Sequence, residues 1–177
     1  MSGFKVGILS DPHRKIELQN EAIEHLKSSG AEYLLHLGDF LLEENLKLLK
    51  ESGLIYRAVF GNNDNHLANL SATYNIYKEP YYLKIKDIKF KMMHLPYYLS
   101  SDSDIVLFGH THKFHCEFKG GSLFLNPGEV CAREKPLSEH ALLEVSKDKF
   151  VVKYFFKDPQ QSSWQSREYS FQRQSSE

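Results

Sequence analysis

Apolar residues along this chain fall in short runs whose spacing alternates between two periods. Residues 4–10, FKVGILS, form a compact apolar and β-branched run, which predicts a buried strand. Across residues 16–29, Ala22, Ile23 and Leu26 recur at helical spacing, and the pattern stops at Gly30 as a helix stops at its C-cap. YLLHLGD (33–39) reads as a second strand, and EENLKLLKESG (43–53) as a helix with an acidic start and a glycine stop. IYRAVFGNND (55–64) supplies a third strand. Strand, helix, strand, helix, strand at this spacing predicts a parallel sheet with crossover helices.

The period changes after Pro80. YYLKIKDIKFKMMH (81–94) alternates charged and apolar residues about a Lys86–Asp87 turn, the pattern of a hairpin with one wet face. DIVLFGHTH (104–112) is a buried strand running into two histidines. A second hairpin is expected around Gly120–Gly121, and a third pairs HALLEV (140–145) with FVVKYFF (150–156). The second half is therefore expected to be mostly antiparallel. From Asp158 the chain turns to Gln, Ser and Arg with scattered Trp164, Tyr169 and Phe171. Residues 1–157 are expected to form one domain, and 158–177 a polar tail, disordered or docked through its aromatics.

Composition narrows the function classes. The 177 residues suit one soluble globular domain, at 41% hydrophobic and 25% charged. Twenty-two basic and 23 acidic residues leave a net charge of −1, which argues against bulk capture of nucleic acid or anionic membrane. No apolar run approaches a membrane span or a signal peptide. Two cysteines match no zinc or disulfide spacing, so reduced thiols and a cytoplasmic location are expected.

The nine histidines are the less ordinary feature. Five predicted strands end in residues that metals favour: Asp11 and His13; Asp39 after Gly38; Asn62, Asn63 and Asp64 after Gly61; His94; and His110 and His112 after Gly109. In open α/β sheets ligands bind beyond the carboxyl ends of strands, so five such ends can converge on one crevice. Carboxylates, imidazoles and an amide oxygen make a mixed N/O shell suited to Mn, Fe, Co, Ni or Zn. In extended backbone, residues two apart point the same way, so Asp11 and His13 could share a target, as could His110 and His112. An aspartate can offer one oxygen to each of two cations, which makes Asp39 a natural bridge. Two ions roughly 3.5–4 Å apart would lower the pKa of a bridging water and clamp a phosphoryl group during attack.

These motifs, Asp11-x-His13, Gly38-Asp39, Gly61-Asn62-x-Asp64, His94 and Gly109-His110-x-His112, resemble the calcineurin-like metallophosphoesterase superfamily. NPGE (126–129) and the short length are similar to its small bacterial and archaeal phosphodiesterase branch. The resemblance covers roughly residues 4–157. It implies an α/β fold, two mixed β-sheets in a sandwich flanked by helices in four αββα layers. It further implies that Asp11, His13, Asp39 and His112 hold one metal, and Asp39, Asn62, His94 and His110 the other.

The chain departs from the family pattern at several positions. Asn63 replaces the histidine thought to protonate the leaving group, Arg14 replaces a usual glycine, and Leu95-Pro96 follow His94 where glycine is common. Leu42 stands where an aspartate is usual. The expected activity is phosphodiester hydrolysis by a metal-bridging hydroxide, with two divalent ions, manganese foremost. Catalysis is assigned to Asp39, Asn62, Asn63 and Asp64, with Asp64 bracing its loop and Asn63 and Arg14 meeting substrate. His66 is a candidate replacement acid, weighed against a solvated loop histidine. The expected partners are a small phosphodiester and a second copy of the chain in a homo-oligomer. Two alternatives stand: a phosphomonoesterase or nucleotide pyrophosphatase with the same site, and a weakly active scaffold like the retromer subunit that resembles this branch. Elsewhere, His36 reads as a hydrogen-bonded strand histidine, and His25 and His140 as exposed. Lys84, Lys86, Lys89 and Lys91 read as a solvated hairpin face, and Cys131 as a small packed hydrophobe.

Overall fold

The structure, a computed structural model, describes residues 2–173. In chain order it contains β1 (Phe4–Leu9), α1 (Ile16–Ser28), β2 (Tyr33–His36), α2 (Glu43–Glu51) and β3 (Ile55–Val59). A 3₁₀ helix (Asn65–Ala72), β4 (Ile76–Tyr77), β5 (Tyr81–Ile85), β6 (Ile88–Met92) and β7 (Ile105–Leu107) follow. The chain continues through β8 (Phe114–Lys119), β9 (Ser122–Pro127), β10 (Ser138–Val145), β11 (Lys149–Lys157) and β12 (Gln165–Gln172). Two mixed sheets result, one ordered β12-β11-β10-β1-β2-β3-β4 and the other β5-β6-β7-β9-β8.

Alternation along each strand divides the side chains between two apolar layers. Val6, Ile8 and Leu35 of the first sheet meet Phe90, Met92, Leu107 and Leu125 of the second. Leu9, Leu34 and Ala58 face the other way, onto Ile23 and Leu26 of α1 and Leu46 and Leu49 of α2. Each such buried aliphatic side chain contributes roughly 1.5–3 kcal/mol. Both α-helices thus lie on the first sheet. The outer face of the second sheet carries Met93, Val106 and Phe108, with the irregular segment 93–104 across it. Lys91, expected on a wet face, is buried there at 2% exposure, its ammonium 2.8 Å from Ser100 Oγ and 3.1 Å from Asp102 Oδ1. Alternation put Lys91 on the outer face, and the covering segment then removed the solvent.

Pairing direction is what positions the site. β1, β2 and β3 are mutually parallel, as expected. The second half is less uniformly antiparallel than its alternation suggested, because β6, β7 and β9 also run parallel. The carboxyl ends of β6, β7 and β9 therefore leave their sheet at one edge.

The polar segment after Asp158 does not leave the fold at Lys157. Residues 165–172 pair antiparallel with β11, placing Tyr169 opposite Val152 and Phe171 opposite Phe150. Tyr169 and Phe171 follow a period of two and dock beside Phe114 and Phe118, while Trp164 precedes the strand and packs against His25 and His140. Residues 174–177 of the expected tail lie outside the described residues. No helix among the described residues is long and apolar enough to cross a membrane.

His25 and His140 are not exposed as expected. His140 is fully buried, and its Nε2 lies 2.8 Å from His25 Nδ1. Lone polar residues in apolar surroundings read as surface, but here the two imidazoles pair with each other, while His140 Nδ1 stays buried without a hydrogen-bond partner. His36 is a hydrogen-bonded strand histidine: Nε2 lies 2.8 Å from Gln19 Oε1, and Nδ1 accepts the Gly38 N–H at 3.1 Å. Burial pushes both His36 and His140 well below the usual histidine range. Because the folded pKa values are depressed, the unfolded chain binds the extra protons, so stability is lost as pH falls. Urea unfolding is expected to show a fall beginning near pH 6.5, where unfolded imidazoles titrate, by up to about 1.4 kcal/mol per pH unit per histidine. His140→Gln should flatten that slope by about one proton.

Candidate metal centre

The loops after the parallel strands are tied to one another before any side chain is considered. Asp11 N–H donates to Gly38 O at 3.0 Å, His13 N–H to Asp39 O at 3.2 Å, and Gly109 N–H to His94 O at 3.1 Å. The loops approach closely enough that a Cβ on Gly61 would fall 2.1 Å from Asp39 Oδ1, and one on Gly109 would fall 2.4 Å from Ser10 Oγ. Asp11, His13, Asp39, His110 and His112 all take left-handed backbone, with φ between 49° and 65°. Non-glycine residues persist there only where their surroundings over-determine them, and such strain concentrates at functional sites.

The resulting cluster divides about Asp39. Its Oδ2 lies 3.6 Å from His13 Nε2, and its Oδ1 lies 3.4 Å from His94 Nε2. On the first side, Asp11 Oδ1 lies 3.3 Å from His112 Nε2 and 3.9 Å from His13 Nε2. On the second, Asn62 Oδ1 lies 2.9 Å from His94 Nε2 and 3.1 Å from His110 Nδ1. The alternation argument for the histidine pairs does not survive, because that backbone is left-handed rather than extended. Asp11 and His13 still lie on one side of Asp39, 3.9 Å apart, whereas His112 joins that first group and His110 the second.

Residues around the cluster fix these positions. Asp64 Oδ2 accepts the N–H groups of Asp39 (2.8 Å) and Gly61 (2.7 Å), and its Oδ1 accepts that of Leu41 (2.9 Å). It therefore staples the loop after β2 to the loop after β3. Asn45, on α2, donates to His13 O and Phe40 O. His94 Nδ1 lies 2.7 Å from Leu37 O, which leaves its Nε2 lone pair facing Asp39. Glu129 bonds His112 Nδ1 in the same manner, orienting Nε2 toward Asp11. Sequence reading noted Glu129 within NPGE without giving it a role; its position just past a strand end was the available signal. Asn45 gave none.

The donor set fits divalent cations. Asp11 Oδ1 and His13 Nε2 are buried without a hydrogen-bond partner. Among the described residues neither Asp11 nor Asp39 pairs with a lysine or arginine, so two buried carboxylates have only imidazoles for counter-charge. Ligand atoms of Asp11, Asp39 and His94 lie within 4.8 Å of one another, as do those of His13, His112 and Cys131. Burial raises the Asp11 carboxyl above its ordinary value despite opposing help from His94 and Ser10, and burial lowers His13. Burial is the largest influence on His112 and would lower it, but its bond to Glu129 together with the charges of Asp11 and Glu129 outweighs burial, and the net direction is upward. A cation held by His112 would therefore have to displace a proton.

The remaining residues are accounted for as follows. Asn63 N–H and Nδ2 donate to Asp39 Oδ1 (3.1 Å) and Oδ2 (2.8 Å). Arg14 is exposed on a neighbouring groove. His66 Nε2 lies 2.7 Å from Leu41 O on the surface. Cys131 is buried as expected, yet it is no plain hydrophobe: its Sγ lies 3.3 Å from Glu129 Oε2.

Residues 4–148 match the model of the calcineurin-like phosphoesterase superfamily domain. The chain is 28% identical over 160 residues to phosphodiesterase MJ0936 of Methanocaldococcus jannaschii, a match covering 83% of this chain and 96% of that protein. Among solved structures, a vacuolar protein sorting 29 from Cryptosporidium parvum superposes with a TM-score of 0.76 at 22% identity, covering 97% of this chain and 99% of that one. A structure described as a novel archaeal phosphodiesterase gives 0.71 at 23% identity, covering 94% and 100%. At these identities the structural likenesses speak to fold alone.

Asp64→Ala would leave three N–H donors unsatisfied, at about 1–3 kcal/mol for each that stays buried. Denaturant unfolding should show a loss of about 3–5 kcal/mol. Asp64→Asn, which keeps one acceptor oxygen, should lose less. Equal stability of Asp64→Ala and wild type would refute the stapling role.

Proposed function

The chain belongs to the calcineurin-like phosphoesterase superfamily and is a metal-dependent phosphoesterase, and on that premise we propose that it hydrolyses phosphodiester bonds at a binuclear centre. The observation that carries this reading is the division of Asp39, one oxygen toward His13 and the other toward His94. Asp11, His13, Asp39 and His112 would hold one ion, and Asp39, Asn62, His94 and His110 the other. When bound, the two ions supply a nucleophilic water of lowered pKa and positive charge for the phosphoryl oxygens. Manganese is the first candidate for an N/O shell of this kind.

This chain's own residues do the positioning. Glu129 and the Leu37 carbonyl hold His112 and His94 in the tautomers that present Nε2. Asp64 fixes the approach of Asp39 to Gly61. Asn62 and His110 are exposed at the mouth, where a phosphate ester can reach them.

No side chain of these loops is held ready to protonate a leaving group. Asn63 stands where the superfamily often has a histidine, and both its donors turn back to Asp39. His66 is bonded to Leu41 O. Absence of a general acid costs about 10²–10⁴-fold when the leaving group is poor. The reading therefore favours esters and anhydrides whose leaving group departs unprotonated.

The test compares an aryl diester, an alkyl diester, an aryl monoester and a dinucleotide polyphosphate across Mn, Ni, Co, Fe and Zn. The aryl diester is expected to exceed the alkyl diester by about 10²-fold or more, and equal rates would refute the leaving-group argument. Faster monoester or anhydride cleavage would favour the rival phosphoesterase readings, and inertness with every cation a scaffold. Glu129→Gln is expected to weaken manganese affinity by about 10–100-fold in calorimetric titration.

A further inference from the structure

Beside the cage lies a groove of about 400 Å³, and His13 belongs to both. Its wall carries Arg14, Lys15 and Arg133 together with Cys131 and Ala132, and no carboxylate lines it. Among the described residues Arg14 and Lys15 form no ion pair. Arg133 meets only its neighbour Glu134, at 3.4 Å, with both side chains more than half exposed. Such a contact is weak and easily exchanged for another anion.

The turn carrying Arg133 is anchored rather than loose. Val130 N–H donates to Ser10 O at 3.0 Å and Cys131 N–H to Asp11 O at 3.1 Å. On the far side, Glu129 Oε1 accepts the N–H groups of Glu134 (2.7 Å) and Lys135 (3.0 Å). Ala132 between them is held at φ 53°. Opposite this turn, Arg14 directly follows His13, and α1 begins at Ile16 with no side-chain cap. Cations from two separate segments thus face one concave surface that opens from the cage. Guanidinium groups suit the geometry of phosphate oxygens, and a helix start adds to the preference for anions.

We propose that Arg14, Lys15 and Arg133 form an anion subsite that binds a second phosphate on the substrate, so that the preferred substrates are phosphodiesters carrying a further terminal phosphate. The inference rests on the phosphodiesterase reading and narrows it to a substrate class. The scissile diester occupies the cage while the terminal phosphate lies in the groove.

The experiment uses the full chain with manganese and two substrates sharing one leaving group: thymidine 5′-(p-nitrophenyl phosphate) and the same compound with a 3′-phosphate. The 3′-phosphate is expected to raise kcat/KM by about 10-fold or more, chiefly through KM. The advantage should shrink as ionic strength rises. In a Lys15→Ser/Arg133→Ser double variant the ratio between substrates should collapse toward one. A ratio near one in the wild type, or an unchanged ratio in the variant, overturns the subsite while leaving diesterase activity intact. A second arm titrates inorganic pyrophosphate into metal-free protein at low salt. Binding that weakens about 10-fold or more in the double variant supports the subsite, and equal binding overturns it. If neither diester is cleaved with any cation, the phosphodiesterase reading fails, and the titration still decides whether the groove takes anions.

Discussion

The carboxylate of Asp64 accepts three backbone N–H groups, from Asp39, Leu41 and Gly61, and much else in this molecule depends on it. Those donors belong to the ends of two neighbouring parallel strands, where the ladder has stopped and backbone groups would otherwise lack partners. One buried side chain satisfies them and sets how closely the two loops approach. The approach is tight enough that position 61 admits only hydrogen as a side chain. Burial raises the Asp64 carboxyl, while the N–H groups oppose that rise by favouring its charged form. Asp39 can then hold left-handed backbone and present its two oxygens to different imidazoles.

That arrangement explains why parallel pairing in both sheets matters more here than the number of strands. β1, β2 and β3 deliver Asp11, Asp39 and Asn62 at one edge, while β6 and β7 deliver His94, His110 and His112. Val6, Ile8, Phe90 and Met92 clamp the sheets together behind the cage, so groups far apart in sequence are held by packing that resists deformation. Preorganised ligands keep their relative positions without the entropy of collecting flexible loops. The strain at five of these positions is the cost of that order.

What could be read from the sequence follows from which forces are local. The periods of two and 3.6 located both α-helices and the strands other than β4 and β12, because burial acts on every second residue or every third to fourth. The candidate ligands that the structure brings together were visible because polar residues at the ends of apolar runs stand out against the pattern. Other features depend on distant partners. Lys91 alternates like a solvated residue, and only the crossing segment with Ser100 and Asp102 buries it. His140 needs His25, over a hundred residues away, before a buried imidazole makes sense. Tyr169 and Phe171 carried a strand signal weakened by the glutamines and serines around them. The split of His110 from His112 depends on backbone φ, which residue spacing does not encode.

The balance of charge completes the account. Two carboxylates at 0% and 2% exposure share one small volume, and the basic groups nearest them are imidazoles set in surroundings with little water to solvate an added proton. Burial lowers His13, whereas His112, supported by Glu129 and Asp11, is pushed toward its charged form. The protein's own side chains therefore undersupply positive charge at the cage, while arginine and lysine accumulate just outside it, on the groove shared by His13. A dication held there would satisfy the inner carboxylates directly, and its binding to the folded state would add to stability in proportion to the logarithm of its concentration over Kd. The outer cations stay exposed and are free to meet an anion arriving from solvent. Keeping the arginines outside the cage leaves the two aspartates without a guanidinium partner and open to a metal.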